Sequence, residues 1–516
     1  MSDQAMSPAL LFGFVAAYFG ALLGVAWWTS RRAVEADFFV GGRSSHWALV
    51  AFGMVGTSLS GVTFISVPGA VGASGFGYLQ IVIGHLLGYA VIAGVLLPLY
   101  YRLQLSSIYQ SLATRFGPRS QRTGAGFFIA SRTLGATARL YLVVRILHDM
   151  VIAPLGLPFW LTAAVILLMI LLYTVEGGVK TIVWTDTLQT AGMLAGLLLC
   201  VAMLLAELDL TPAAAIARLA ETGLSRVWGQ DPMASGFWAK QLLAGAFIAI
   251  AMTGLDQEMM QKNISVRTLR GAQQNMLALA LIMQVVVLLF LLLGGLLQLF
   301  AWQHGLAERG DALFSAVVTG YLPAAVQLVF VLALISALFP SADGALTALT
   351  ASTCIDLLDL QQRGDARSRK RIRRAVHLGF AALFMALVLV FRWIDDRSMI
   401  GLILKIAGYT YGPLLGLFAF GLMTRRAASD AAVPWIALAA PLLCGLVDFN
   451  QRALFGRYEI GLELLLLNGA ITFALLWLAS RPGDQGFAPN PGSMRTSAVA
   501  TNEGSVATQT HTKKPT

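Results

Sequence analysis

Asp343 stands inside the apolar stretch LISALFPSADGALTALTAST. A carboxylate in a membrane helix is expensive to desolvate, so it marks an ion or substrate path. Three residues earlier, Pro340 removes a backbone donor and frees the carbonyl near Ser336. Ser341, Thr347 and Thr350 add hydroxyl oxygens. A broken, oxygen-lined helix beside a buried acid suits a small hard cation. On an ideal helix Ala337 and Ser341, four apart, share a face, whereas Asp343 sits about 160° around from Ser341. Three readings stay open: two adjacent sites, a local distortion that joins them, or Asp343 as a structural carboxylate paired with Lys or Arg.

A second concentration of oxygens lies in FGMVGTSLSGVTFISVPGAVGASG, where a simple anchor would be rich in leucine. If this helix unwinds near Gly61, the carbonyls of Gly56 and Leu59 are free to ligate a cation, and Ser60 and Thr63 add hydroxyls. The competing reading is a packing face, because Ser and Thr in membrane helices commonly bond the preceding turn. Asp186, in VKTIVWTDTLQTAGML, either joins the same path or is an interfacial acid near a helix N-terminus. Arg132, Arg139 and Arg145 fall in one span, the first two on one face. They balance Asp186 and Asp343, snorkel, or meet an anionic solute. Lys405, in IGLILKIAGYTYG, is buried by position, with pairing to Asp395 or Asp396 favoured over a cavity-facing role. Gln80 and His85 line a polar cavity or bond a neighbouring helix.

These groups need helices to hold them. The chain has 516 residues, 57% hydrophobic and 12% charged, too little charge for a soluble protein of this length. About thirteen apolar segments reach the length of a bilayer crossing. They lie near 8–28, 47–72, 77–99, 123–153, 157–175, 181–206, 236–257, 273–302, 323–354, 374–393, 398–422, 431–448 and 459–479. The loops at 29–46, 101–122, 177–180, 258–272, 355–373 and 423–430, with the stretch from 480, hold most of the Lys and Arg, and RGDARSRKRIRR is the densest run. This places the N-terminus outside and the C-terminus inside. The net charge of +10 is then a topology signal, with anionic lipid as partner and no nucleic acid. Cys200, Cys354 and Cys444 are scattered, without metal-ligand spacing, and read as packing residues. Residues 1–7 carry no basic region, so the first apolar stretch is expected to stay as an anchor.

The organisation is one transmembrane domain over 1–480 and a tail over 481–516, rich in Pro, Gly, Ser and Thr, expected to be disordered and cytoplasmic. The loops are too short for a further domain. Short helices are expected in 207–235, at AAAIARLAE, and in 303–322. Two spans look interrupted: the second, and the seventh, LLAGAFIAIAMTGLDQEMMQ. Each opens one half of the chain, which points to an inverted-repeat transporter with a midplane site. No HExxH, GxSxG, P-loop or CxxC motif is present, so an enzyme is not expected, and uphill transport would draw on an ion gradient.

Six pieces in order resemble the sodium:solute symporters, the family of bacterial proline, sugar and sialic acid carriers: ADFFVGGRSSHW, TSLSGVTFISVPG, GGVKTIVWTDTLQ, GLDQEMMQKNISVRTLRGAQQ, SALFPSADGALTALTASTCID and YGPLLGLFAFG. The likeness covers nearly all of 8–479. It implies an all-α integral membrane fold of about 13 transmembrane helices with a five-plus-five inverted repeat of the leucine-transporter type. The repeats would span about 47–206 and 236–422. It implies a sodium site from the carbonyls of Gly56, Leu59 and Ala337 and the hydroxyl of Ser341. A second family hydroxyl falls at Pro340, which cannot supply it; a freed carbonyl, Ser60 or water would have to replace it. A second sodium or proton site maps to Asp186, with its hydroxyl positions at Pro340, Asp343 and Gly344. The asparagine of sugar carriers maps to Ala249, and the carboxylate-binding arginine of sialic acid carriers to Arg132 or Arg139.

The expected function is thus sodium-coupled import of a small organic solute across the cell membrane by alternating access, with a carboxylate-bearing solute preferred. Sodium is the co-transported ion, and no organic cofactor is expected. The substrate candidates are Ser60, Thr63, Gln80, His85, Arg132 and Arg139. The alternatives are proton coupling through Asp186 and Asp343 on the same scaffold, a non-transporting membrane sensor, or a membrane enzyme. The sequence leaves the oligomeric state open.

Overall fold

The computed structural model describes residues 8–30, 45–360, 365–393, 399–484 and 486–487. Much of ADFFVGGRSSHW, Asp395, Asp396 and most of the 481–516 tail lie outside the described residues.

The described chain is almost all helix; two residue pairs, Ala427–Ala428 and Ser480–Arg481, form a minimal antiparallel ladder. We number the long helices and their broken halves in order. They are α1 (Pro8–Ser30), α2 (Trp47–Ser58), α3 (Gly61–Ser74), α4 (Tyr78–Arg102) and α5 (Pro118–Leu155). Next come α6 (Phe159–Glu207), α7 (Trp238–Gly254), α8 (Gln257–Ile264), α9 (Leu269–His304) and α10 (Ala324–Leu357). The last four are α11 (Ala366–Phe391), α12 (Met399–Met423), α13 (Val433–Phe449) and α14 (Leu464–Leu478). Among the described residues seven helices are long and apolar enough to cross a membrane, or up to ten if each bent pair is one span. α13 and α14 are shorter apolar helices. The expected connection at 177–180 is helical, so α6 covers two of the expected segments.

Each half of the chain opens on a helix that breaks. α2 and α3 meet at 58°, and α7 and α8 at 66°. The first break falls at Leu59 and Ser60, just before Gly61, and Ser60 is extended with ψ 170°. The second follows Gly254, where Leu255 leaves the helix and Asp256 starts the next one. Two expectations change here. α10 runs unbroken through Pro340 from Ala324 to Ser352, because tight packing on every side holds the helix across the missing donor. The segment placed in an inner loop at 258–272 begins as the buried helix α8.

The halves are joined by close packing. α10 lies along α6, and α12 rests on α5 and α14. α4 and α7 meet backbone to backbone. A Cβ added at Gly84 or Gly88 would overlap the carbonyl of Leu242 or Ala246, and one at Gly245 would overlap that of Ile81. Small residues permit this approach. α1 braces the outside of α6, and its Tyr18 hydroxyl bonds Ser336 on α10 at 2.7 Å. The AAAIARLAE segment is helical (Pro212–Glu221), as is Asp311–Tyr321. Cys200, Cys354 and Cys444 are free and buried. Lys405 is not buried: its side chain is 62% exposed, and its ammonium lies 3.3 Å from Asp448.

Candidate cation and solute site

The two breaks leave carbonyls in opposite states. A helix end has no internal donors for its last four carbonyls. At the second break tyrosines supply them: Tyr100 donates to the Gly254 carbonyl and Tyr109 to that of Leu255, both at 2.9 Å. Asp256 caps α8, its Oδ1 accepting from the Glu258 and Met259 amides at 2.9 and 3.2 Å. At the first break nothing comparable is present. Leu59 N–H bonds Val55 and Phe64 N–H bonds Ser60. Among the described residues no donor reaches the carbonyls of Gly56, Thr57, Ser58 or Leu59. Four carbonyls without a donor thus lie at one bend, and Gly56, Thr57 and Leu59 are buried there.

α10 and α6 face this bend. The Thr190 hydroxyl on α6 is buried without a partner, and a Cβ on Gly56 would overlap it. The Pro340 ring lies 3.6 Å from that same point. Ser341 donates to the Leu338 carbonyl at 2.9 Å, which leaves its oxygen lone pairs free to accept. Among the described residues no cluster of three or more His, Cys, Asp or Glu side chains is arranged for a metal ion, so the oxygens at the bend are mainly carbonyls and hydroxyls.

Beside the bend runs a buried charge network. Lys262 on α8 places its ammonium 2.7 Å from Asp186 Oδ2, 2.6 Å from Thr57 Oγ1 and 3.5 Å from Glu258 Oε1. The Thr57 hydroxyl also bonds Asp186 Oδ2, at 3.2 Å. Arg132 pairs with Glu258 Oε2 and lies 3.8 Å from Asp256, which accepts at 2.6 Å from the Tyr411 hydroxyl on α12. Buried charges persist only when paired, and each of these is, although Asp186 Oδ1 and Arg132 Nε are buried without a hydrogen-bond partner among the described residues. Asp343, also fully buried, bonds the Gly344 amide and adds its field at Lys262. Beside it, Gly344 makes room for Glu258: a Cβ there would overlap the Glu258 carboxylate.

A cavity of about 110 Å³ opens between the two breaks. Ser60, Thr63, His85, Arg132 and Arg139 line it, along with Ala249 and a largely apolar remainder. Arg139 has no carboxylate within 4 Å among the described residues, unlike Arg132. Both ring nitrogens of His85 are buried without partners. Gln80 lies elsewhere: it bonds the Gly77 carbonyl and the Gly229 amide and lines a separate pocket. Its side chain satisfies a loop. Arg145 lines a third pocket with Asp149, Arg309 and Asp311. The arginines of α5 do not balance Asp186 through a direct pair, since Lys262 holds that carboxylate.

The sequence reading passed over Lys262, Glu258, Asp256, Tyr411 and Thr190. The signal for the first two was present: Glu258 and Lys262 are four apart, the spacing of a helical ion pair.

The chain is 22% identical over 491 residues to the sodium/sialic acid symporter SiaT of Proteus mirabilis, covering 90% of this chain and 94% of that protein. It is 25% identical to the sodium/sialic acid symporter NanT of Aliivibrio fischeri, covering 88% and 91%. To the mouse sodium-coupled monocarboxylate transporter 1 it is 26% identical, covering 77% and 66%. The fold matches a substrate-bound, outward-open structure of a Na+-coupled sialic acid symporter, with a TM-score of 0.78 at 18% identity, over 91% of this chain and 98% of that one. A closed structure of the nucleobase-cation symporter Mhp1 matches at 0.54 and 14% identity, over 86% and 93%. Residues 38–436 match the Sodium:solute symporter family, and the chain, a multi-pass membrane protein, belongs to it.

Proposed function

We propose that this chain is a sodium-coupled symporter that imports a small carboxylate-bearing solute across the cell membrane by alternating access. The observation that carries the reading is the open set of carbonyls at Gly56 to Leu59, set against the sealed set at Gly254 and Leu255. A sodium ion is the hard cation that such oxygens suit. Its ligands in this reading are the carbonyls of Gly56, Leu59 and Ala337 and the hydroxyl of Ser341. The unpartnered Thr190 hydroxyl supplies what Pro340 cannot.

The solute's carboxylate meets Arg139, with His85 beside it and Ser60 and Thr63 across the cavity. Around this site four buried carboxylates, Asp186, Asp256, Glu258 and Asp343, face three cations, Lys262, Arg132 and Arg139. An anionic solute adds a negative charge to that group, and an accompanying cation offsets it. Ion binding draws α2, α3 and α10 together, solute binding then allows closure, and release of the ion inside frees the solute. In this reading there are thirteen spans: the 119° turn makes a hairpin of α5 and Phe159–Leu172, the second part of α6, Thr181–Glu207, crosses separately, and the shorter α13 and α14 also cross. The N-terminus is outside. The tail lies inside, facing anionic lipid.

Uptake into proteoliposomes under an imposed sodium gradient tests this. Uptake that follows a proton gradient and ignores sodium would transfer the role to Asp343, since Asp186 is held by Lys262. Solute binding without any uptake would favour a sensor.

A further inference from the structure

Asp186 is the acid that the family resemblance offers to a second sodium ion, yet an ammonium already stands on it. We propose that Lys262 is a built-in cation that occupies this second ion place, so the chain takes up one sodium ion per cycle and Asp186 is a partner of Lys262 and not a sodium ligand. The inference rests on the sodium-coupled reading above and fixes its stoichiometry.

Four features support it. The Lys262 ammonium has the coordination a bound cation would have: Asp186 at 2.7 Å, the Thr57 hydroxyl at 2.6 Å and Glu258 at 3.5 Å, all buried. An ammonium and a sodium ion compete for the same carboxylate oxygens, and a tethered ammonium needs no entry step. The hydroxyl-bearing positions expected to complete a second sodium site are Pro340, Asp343 and Gly344, so two of the three have no oxygen-bearing side chain. At Gly344 the space a side chain would fill is taken by the Glu258 carboxylate, which itself faces Lys262 and Arg132. Finally, Thr57 lies in the same turn as the open carbonyls of Gly56 to Leu59. The tethered cation therefore grips α2 just before its break and ties it to α6 and α8, and leaves those carbonyls without a donor.

The chemistry predicts what vacating the position does. Removing the ammonium leaves Asp186, Glu258 and the Thr57 hydroxyl facing a space the size of a butylammonium chain, an oxygen-lined acidic pocket that a sodium ion and water can fill.

The test is the number of sodium ions bound at saturation by the purified full chain, measured with 22Na+ alone. The expected result is one ion for the native protein, one for Asp186→Asn, bound more weakly because the Lys262 ammonium loses its closest carboxylate beside the site, and one for Lys262→Arg. Lys262→Ala is expected to bind two. If Lys262→Ala does not fold, the double variant Lys262→Ala/Asp186→Asn removes both charges and is expected to bind one ion as a monodisperse protein. Two ions in the native protein, with one lost in Asp186→Asn, overturns the inference and leaves sodium coupling intact. No sodium bound by the native protein overturns the coupling itself, and the inference with it.

Discussion

The Tyr411 hydroxyl donates to Asp256 at 2.6 Å, and the same Asp256 caps the half-helix that carries Glu258 and Lys262. One carboxylate thus sets the start of α8, faces Arg132 and binds α12. Tyr411→Phe removes one charge-assisted bond and is expected to destabilise the protein by about 2 kcal/mol. Asp256→Ala also loses the cap and leaves Arg132 with one partner fewer, which raises the loss to about 3–5 kcal/mol. Thermal unfolding of the two variants in one detergent checks the order; equal melting temperatures would break the proposed linkage.

Arg139 and Arg132 share a face of α5 but not a role. Arg139→Gln is expected to weaken the protection that carboxylate solutes give against thermal unfolding by at least about 30-fold in apparent affinity, the loss of roughly 2 kcal/mol of charge-assisted bonding. Its melting temperature without solute stays near the native value. Arg132→Gln is expected to do the reverse, lowering stability because Glu258 loses its partner. A screen of acids against their amides, on both variants, separates the two. Protection by amides equal to that by acids would remove Arg139 from the carboxylate role.

Thr190 offers a test of the sodium ligands that leaves Pro340 in place. Thr190→Val keeps the shape and removes the hydroxyl. We expect the sodium concentration needed for stabilisation to rise about 10-fold, equal to about 1.4 kcal/mol. Ser341→Ala is expected to shift it in the same direction. At 100 times the dissociation constant, sodium stabilises the native protein by about 2.7 kcal/mol, and choline at matched ionic strength does not. Unchanged sodium titrations in Thr190→Val would remove α6 from the ion site.

The glycines of α4 divide into two kinds. Gly88→Val drives a side chain into the Ala246 carbonyl and the Ala249 methyl and is expected to destabilise by at least about 2 kcal/mol. Gly94, six residues on, has open space where a Cβ would go, and Gly94→Ala is expected to be neutral or stabilising by about 0.5 kcal/mol. The yield and melting temperature of the two proteins decide the matter.

Much of this molecule is written in local sequence. The break at Leu59 and Ser60 follows from TSLSG, where small and hydroxyl residues interrupt an apolar run, and the second break follows from MTGLD in the same way. Lys262 was harder to read. Its neighbours QEMMQKNISVR look like a solvated inner loop, and a count of basic residues by position assigns its charge to the membrane surface. An eight-residue half-helix is too short to show an apolar period, so burial came from packing against Thr57 and Asp186, which lie 205 and 76 residues away. Lys405 erred in the opposite sense: an apolar run suggested burial, but the helix turns that position outward to Asp448. Pro340 is a third case. Proline predicts a break from the loss of one bond, while the surrounding side chains decide whether the helix bends.

The glycine seam between α4 and α7 joins a helix from the first half of the chain to one from the second. With carbonyl against Cα along the seam, no layer of side chains is left to act as a bearing between them. Any rocking that opens or shuts the cavity therefore has to carry α4 and α7 as one beam, with the pivot displaced to the bends at Leu59 and Leu255. The same contact that packs the protein decides where it can flex.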